Sequence, residues 1–409
     1  MGELPSEWEV RTLGDLAYWF SGGTPRTSEA SYWNGDIPWI TSGSLTTFYL
    51  STSDRTLTQK GLESGSRLVP ASSILFVVRG MSLKSEFRIG ITRRPLAFGQ
   101  DCKALVAHAD VDPLFLANAI RAQSRDILGM VDEAGHGTGR LATDRIRSLR
   151  VPLPPLSEQR AIAEVLGALD DKIEANRRVA DLATNLALAQ ATSALEHVGG
   201  TPTDMERIAD ITKGVSYRSD DLIPGNGWLV SLKCVGRDGS FEPGGLKPFS
   251  GPAKPGQVVD DGDVLVAQTD LTQRGEVIGR PIRVQRLGLA GRFVASLDFA
   301  VVRPRPPLTR ELLFGLLSQR VFREHVLGFC NGTTVLHMNS RALPSYQVAI
   351  PGAEQGRRLT NIMKPLFECS AVARRESSAL GQLRDTLLPK LLSGELRVRD
   401  AESLVEEAV

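Results

Sequence analysis

The sequence predicts an α+β protein: two globular domains separated and joined by two long antiparallel coiled-coil helices, with a pseudo-two-fold internal repeat. Three observations carry that prediction. Residues 152–191, PLPPLSEQRAIAEVLGALDDKIEANRRVADLATNLALAQA, place Ile162, Leu166, Leu169 and Ile173, then Ala180, Ala183 and Ala187, on one helical stripe. The pattern returns near the C-terminus, where Glu354-Gln355 precedes Leu359, Ile362, Leu366, Ala373, Leu380, Leu383 and Leu387. The stretch before each helix repeats one order of strand, loop and helix signals, a duplication at domain scale rather than a short solenoid repeat.

The boundaries follow: a first domain over 1–151, a central helix over 152–198, a second domain over 199–350, a distal helix over 351–396 and an acidic tail over 397–409. Pro152, Pro154 and Pro155 forbid helix before the central segment. Ser157 is placed to cap it, and Glu158 adds negative charge at the positive end of the helix dipole. Asn176 breaks the apolar seam, as a residue that fixes register would. Neither stripe can be buried by its own helix, so the two are expected to pair through Ile162, Leu166, Leu169 and Ile173 on one side and Leu359, Ile362, Leu366, Leu380, Leu383 and Leu387 on the other. Pro389 should kink the distal helix or begin a new turn, and the tail from Asp400 should fray.

In the first domain, SGGTPRTSEASYWNGDIPWITSGSL reads as an ordered loop pinned by Trp33 and Trp39. Residues 67–78 read as a turn feeding a buried strand, and Asp112-Pro113 opens a helix through Ala122. Between them a basic stretch holds Arg79, Lys84, Arg88, Arg93 and Arg94 against one acid, Glu86. The second domain repeats the order. Its buried strand lies in 257–267, followed by Gln268, Thr269, Arg274, Arg280, Arg283, Arg286 and Arg292, with a helix over 309–317. The loop around Asn331, Thr333 and Thr334 occupies the position of Thr138 and Arg140.

Composition narrows the function classes. The net charge is +1, so any basic surface must be local. Four scattered cysteines fit neither a disulfide framework nor a zinc site, which points to a reducing cytoplasm. No run of about 18 apolar residues offers a membrane span. The five histidines (108, 136, 197, 325 and 337) stand alone, without acid or cysteine partners at ligand spacing. There is no GxSxG, HExxH or GxxxxGK[ST], and no N/D-P-P-Y/F tetrad of an amino-methyltransferase.

The segments PLPPLSEQRAIAEVLGALDDKIEANRR and LRDTLLPKLLSGELRV resemble the two conserved regions of type I restriction-modification specificity subunits. The opening GGTPRTSEASYWNGDIPWIT is similar to the start of many target-recognition domains in that family. One departure is Gly352-Ala353-Glu354-Gln355-Gly356, where a PPLxEQ entry is commoner, so the distal helix start is expected to be shifted or frayed.

The resemblance implies a non-catalytic reader of double-stranded DNA whose two target-recognition domains each contact half of a bipartite target. It implies helices that set the spacing and dock two methyltransferase subunits, with restriction subunits able to join. S-adenosylmethionine, and ATP and magnesium for restriction, would belong to those partners and not to this chain. Under this reading Arg79, Lys84, Arg88, Arg93, Arg94, Thr138, Arg140, Gln268, Thr269, Arg274, Arg280, Arg283, Asn331, Thr333 and Thr334 are the candidate DNA contacts. The alternative class is a protein-interaction scaffold with no DNA role; steep salt dependence of DNA binding separates the two.

Overall fold

The computed structural model describes residues 5–134, 138–196, 198–199, 201–236, 239–271, 275–332 and 335–407. Arg274, Thr333, Thr334, His136 and His197 lie outside them. The chain divides into two compact units, Met1–Lys172 with Leu380–Val409, and Ile173–Ala379. This division cuts through both long helices, Leu156–Leu195 and Ala353–Leu392. Each unit therefore holds one globular domain and one stretch of paired helices.

The described residues of the first domain form four sheets. Glu9–Thr12 pairs with Arg150–Leu153. A four-stranded sheet runs Thr56–Leu57, Trp33–Ile40, Leu96–Phe98, Leu68–Val69. A five-stranded sheet runs Ala17–Ser21, Cys102–Ala107, Ile74–Val77, Ile89–Thr92, Tyr49–Leu50. A three-stranded ribbon joins Val131–Ala134, Thr138–Leu141 and Arg79–Gly80.

The second domain reproduces this plan. Thr203–Asp204 pairs with Gln347–Val348. The order Leu246–Pro248, Gly227–Val230, Arg292–Ala295, Val258–Val259 answers the first four-stranded sheet, including its one parallel pair. Ala209–Lys213, Phe299–Pro304, Val264–Ala267 and Pro281–Arg283 answer the five-stranded sheet without its edge strand. Cys330–Asn331, Leu336–Met338 and Thr269–Asp270 form the second ribbon.

Local chemistry explains the shared plan. Ile74–Val77 and Val264–Ala267 are buried at every position, so they read as continuous apolar runs rather than alternating ones. Gly22 and Gly214 let strand ends touch: a Cβ would lie 2.3 Å from the Gly99 carbonyl oxygen in one domain and 2.0 Å from that of Ser296 in the other. The tryptophans do pin the opening loop, with Trp39 Nε1 donating to the Gly23 carbonyl at 3.2 Å and Trp33 Nε1 to that of Arg26 at 3.2 Å. Asp112 caps Pro113–Ala122, accepting from the Leu114 and Phe115 amides at 3.0 and 2.9 Å.

The central helix begins at Leu156, so Ser157 lies inside its first turn, exposed, and is not its cap. The neighbouring Glu-Gln pair clamps the helix to the domain instead. Glu158 accepts from Trp8 Nε1 at 3.0 Å. Gln159 is buried; its Oε1 accepts from the Asp112 amide at 2.9 Å, and its Nε2 donates to the carbonyls of Pro154 and Asp110 at 2.8 and 3.3 Å. Replacing Gln159 with alanine leaves these backbone groups, the buried Pro154 carbonyl among them, without their partner and should cost about 1–3 kcal/mol in denaturant unfolding. Glu354 and Gln355, at the matching place on the distal helix, are exposed, so Gln355→Ala should be near neutral. Equal costs would contradict the clamp.

The distal helix is shifted, not frayed. Counting from the glutamine, the central helix buries Gln159, Ile162, Leu166 and Asp170, while the distal helix buries Gly356, Leu359, Met363 and Phe367, one residue later at each of these places. Ile362 is therefore not a pairing residue; it is 48% exposed, and Met363 takes its place. Leu366 and Leu383 are half-buried on the flank of the stripe, whereas Leu359, Leu380 and Leu387 are buried in it, as are Ile162, Leu166, Leu169 and Ile173. The helix continues through Pro365 and Pro389, both exposed, as are Asn361 and Asp385, whose carbonyls lose an amide donor there. The tail is not frayed: Val398–Glu406 is helical and buries Ala401.

Within each unit the helices run antiparallel. In the second, Thr184 Oγ1 meets Ser370 Oγ at 2.9 Å, Asp181 pairs with Arg374 at 2.6 Å, and Ser377 Oγ reaches the Ile173 carbonyl at 3.3 Å. Ala187, Ala191, Leu359, Met363 and Phe367 share one core with Arg310–Leu317, whose Gly315 would bring a Cβ to 2.8 Å from that of Ala191. In the first, Asp170 is 5% exposed and accepts from Arg384 at 2.6 Å and from Arg121, on Pro113–Ala122, at 2.9 Å.

Candidate nucleic-acid interface

The ribbon of the first domain owes its orientation to glycine. Gly139 stands opposite Gly80, and a Cβ on Gly139 would sit 2.8 Å from that of Leu83. That face is pressed against the Met81–Lys84 turn. Partners directly opposite on an antiparallel ladder share a face. The next rung, Arg79 opposite Arg140, therefore points the other way, into solvent. Both arginines are exposed, as are Lys84 and Arg94. Among the described residues no carboxylate lies within ion-pair distance of these four cations. Asp132, across the ladder from Arg140, is held by Arg145 at 2.8 Å instead. Thr138 is half-buried on the same ribbon.

Two cations of the basic stretch serve the fold. Arg88 pairs with Glu86 at 2.8 Å and donates to the Ser42 carbonyl at 3.3 Å. Arg93 stacks 3.7 Å over the Tyr49 ring and bonds Asp171 of the central helix. Burial, with Asp170 and Asp171 adding to it, pushes the Tyr49 phenol well above its usual range. Arg93 thus ties domain to helix and is not the free cation that the charge run implied.

The second ribbon aligns rung for rung. His337 stands opposite Thr269 on one side and Asn331 on the other. Asn331 and His337 are exposed, but Thr269 is buried and its hydroxyl donates to Asp298 at 2.9 Å. Gln268 is half-buried. Arg280 folds back, its Nε donating to the Glu276 carbonyl at 2.5 Å. Arg283 lies 4.2 Å over the Phe367 ring and 3.9 Å from Glu311, and burial draws its pKa down. Thr269, Arg280 and Arg283 are thus engaged by neighbouring groups of the protein. Counting cations along a strand does not show which face of it meets a helix.

Sequence reasoning missed the buried Asp170 with its two arginines, although an aspartate in a stripe position of a helix is itself the signal. It also missed that the helix pair leaves an apolar face uncovered. Val179 (44% exposed), Leu182 (69%) and Leu186 (49%) on the central helix, and Ile362 and Val372 (56%) on the distal one, each lie one residue before a buried seam position. Two facing antiparallel helices are related by a two-fold axis normal to their common plane, so equivalent flanks fall on the same side of the pair. Among the described residues, no helix is long and apolar enough to cross a membrane, and no group of three or more His, Cys, Asp or Glu could hold a metal ion.

Three comparisons bear on this arrangement. The profile of the type I restriction modification DNA specificity domain matches residues 5–182. The type I restriction enzyme MjaIX specificity subunit of Methanocaldococcus jannaschii is 24% identical over 433 residues, covering 98% of this chain and 96% of its own. The EcoR124I/EcoR124II specificity subunit of Escherichia coli is 30% identical over 166 residues, 40% of this chain and 41% of its own. The crystal structure of a type I restriction-modification S subunit from M. genitalium superposes with a TM-score of 0.55 at 13% identity, over 96% of this chain and 97% of that one, a likeness of fold.

Proposed function

The chain belongs to the family of type I restriction-modification specificity subunits, and on that premise we propose that each of its domains reads one half of a bipartite DNA target. It contributes recognition, not chemistry. One observation carries the two-half reading: the same four-sheet plan occurs twice, and each copy ends in a ribbon whose free face carries different side chains. A duplicated plan supplies two docking geometries, and differing side chains supply two specificities. Helices of 40 residues, about 60 Å long, can span more than one turn of DNA at 34–36 Å.

The uncovered apolar stripe beside Cys369 is the proposed seat of a methyltransferase subunit, with a second subunit seated at the other end of the helices. S-adenosylmethionine, and ATP and magnesium for restriction, are proposed to bind in those partners.

Cysteine chemistry tests the docking. Burial pushes the Cys102 and Cys234 thiols up to about 12, which keeps them inert at neutral pH. Cys369 is exposed on the same flank as Ile362 and Val372. It should alkylate fastest in the free chain and become protected when the methyltransferase subunit binds. Unchanged alkylation in the assembled complex would place the seat elsewhere. Specific duplex binding by that complex should weaken steeply with salt, and salt-independent binding would favour the scaffold alternative.

A further inference from the structure

The proposed function leaves open which bases each half contains, and the two ribbons bear on it. We propose that the Arg79–Arg140 rung is the base-reading element of the first domain and that the half-site it reads contains guanine. The inference rests on the specificity-subunit reading above.

Like charges directly opposite on a ladder destabilise it. A surface that served only the fold would set an acid beside such a pair. Here the acid on the third strand, Asp132, is engaged by Arg145, and both guanidiniums are left facing water. The rung is thus built for an electronegative partner. Two partners are available on a duplex: a phosphate, which carries no sequence information, or the O6/N7 edge of guanine, which a guanidinium fork matches in a bidentate way.

The second domain decides between them. Every target has the same phosphates, so a phosphate grip would keep its cations in both copies of the plan. At the matching rung the second domain has Thr269, His337 and Asn331, with the threonine turned inward to Asp298. The fold is kept and the chemistry is changed, which is what a base-reading position requires. Arg79 and Arg140 lie on two paired strands of the ribbon, and the major groove, which admits a two-stranded β-ribbon, is where guanine shows both acceptors.

The test uses the chain assembled with its methyltransferase partner. Its methylation motif is mapped, and binding is then measured on duplexes carrying single-base changes. The first half-site should contain guanine, and replacing that base with 7-deazaguanine, which lacks the N7 acceptor, should weaken binding. Arg140→Ala and Arg79→Ala should each erase roughly 5- to 150-fold of discrimination at that base and leave the second half-site read as before. Arg140→Lys, which keeps the charge and the fold but lacks the planar fork, should lose part of that discrimination. Asn331→Ala should leave the first half-site untouched.

Equal weakening on all sequences with a shallower salt slope would show a phosphate grip and overturn the inference. A first half-site without guanine would overturn it as well. Were the wild-type complex to show no motif at all, the specificity-subunit reading would fail, and this inference with it.

Discussion

Replacing Asp170 with alanine is expected to destabilise the first unit by about 3–5 kcal/mol, among the largest effects available to one substitution. The carboxylate is buried and is shared by Arg121, from the domain, and Arg384, from the distal helix. Burial lowers the pKa of Arg121, yet a guanidinium does not lose its proton at neutral pH, so its charge would stay in place without a partner. Burial also opposes the charge on Arg384, and Asp170 and Asp385 beside it together more than offset that. The neighbouring Asp171 pairs with Arg93 across exposed surface, so Asp171→Ala should cost less than about 1 kcal/mol. Denaturant unfolding of the full chain compares the two. A cost for Asp170→Ala no larger than that for Asp171→Ala would refute the buried hub.

The second large effect is Leu166→Asp. Leu166 is fully buried in the helix stripe of the first unit, and Gly167 beside it packs against Leu114 and Tyr49 of the domain. A carboxylate there has no partner, and the variant should lose at least about 3 kcal/mol. The damage should reach the domain, because this part of the helix belongs to the same compact unit. Ile362→Asp makes the opposite case. Its side chain already meets water, so thermal stability should hardly change, while assembly with the proposed methyltransferase partner should weaken. If Ile362→Asp unfolds the chain and Leu166→Asp does not, the helix register that buries Leu166 and exposes Ile362 is wrong.

Much of this architecture was legible in the residues. Pro152, Pro154 and Pro155 marked the approach to the central helix, which begins at Leu156, directly after the last of them. Asp112-Pro113 announced its helix through cap chemistry alone, and the buried strands at Ile74–Val77 and Val264–Ala267 appeared as apolar runs between turn signals. What stayed hidden depended on the partner surface. Reading the distal stripe in steps of three and four from Leu359 put Ile362 in the seam, because a period of 3.6 tolerates a slip of one residue when neighbours are also apolar. Gln159 looked like any polar residue of a first turn until its three backbone partners were in view.

The cations were the least legible. Arg79 and Arg283 occupy similar basic runs, yet one faces water from a glycine-backed ribbon and the other lies on Phe367. Facing was set by strand pairing across roughly 60 residues in one case and by a helix in the other. Composition and charge count contain neither.

The central claim is that this chain supplies a bipartite DNA specificity through two separable domains. The most direct measurement is methylation-site sequencing in cells carrying the chain with its methyltransferase partner, compared with cells lacking it and with cells in which residues 1–151 come from a related subunit that keeps an arginine at position 121. A bipartite methylated motif should disappear without the chain and change in one half after the exchange. A motif that persists without the chain, or one altered in both halves by the exchange, would contradict the claim.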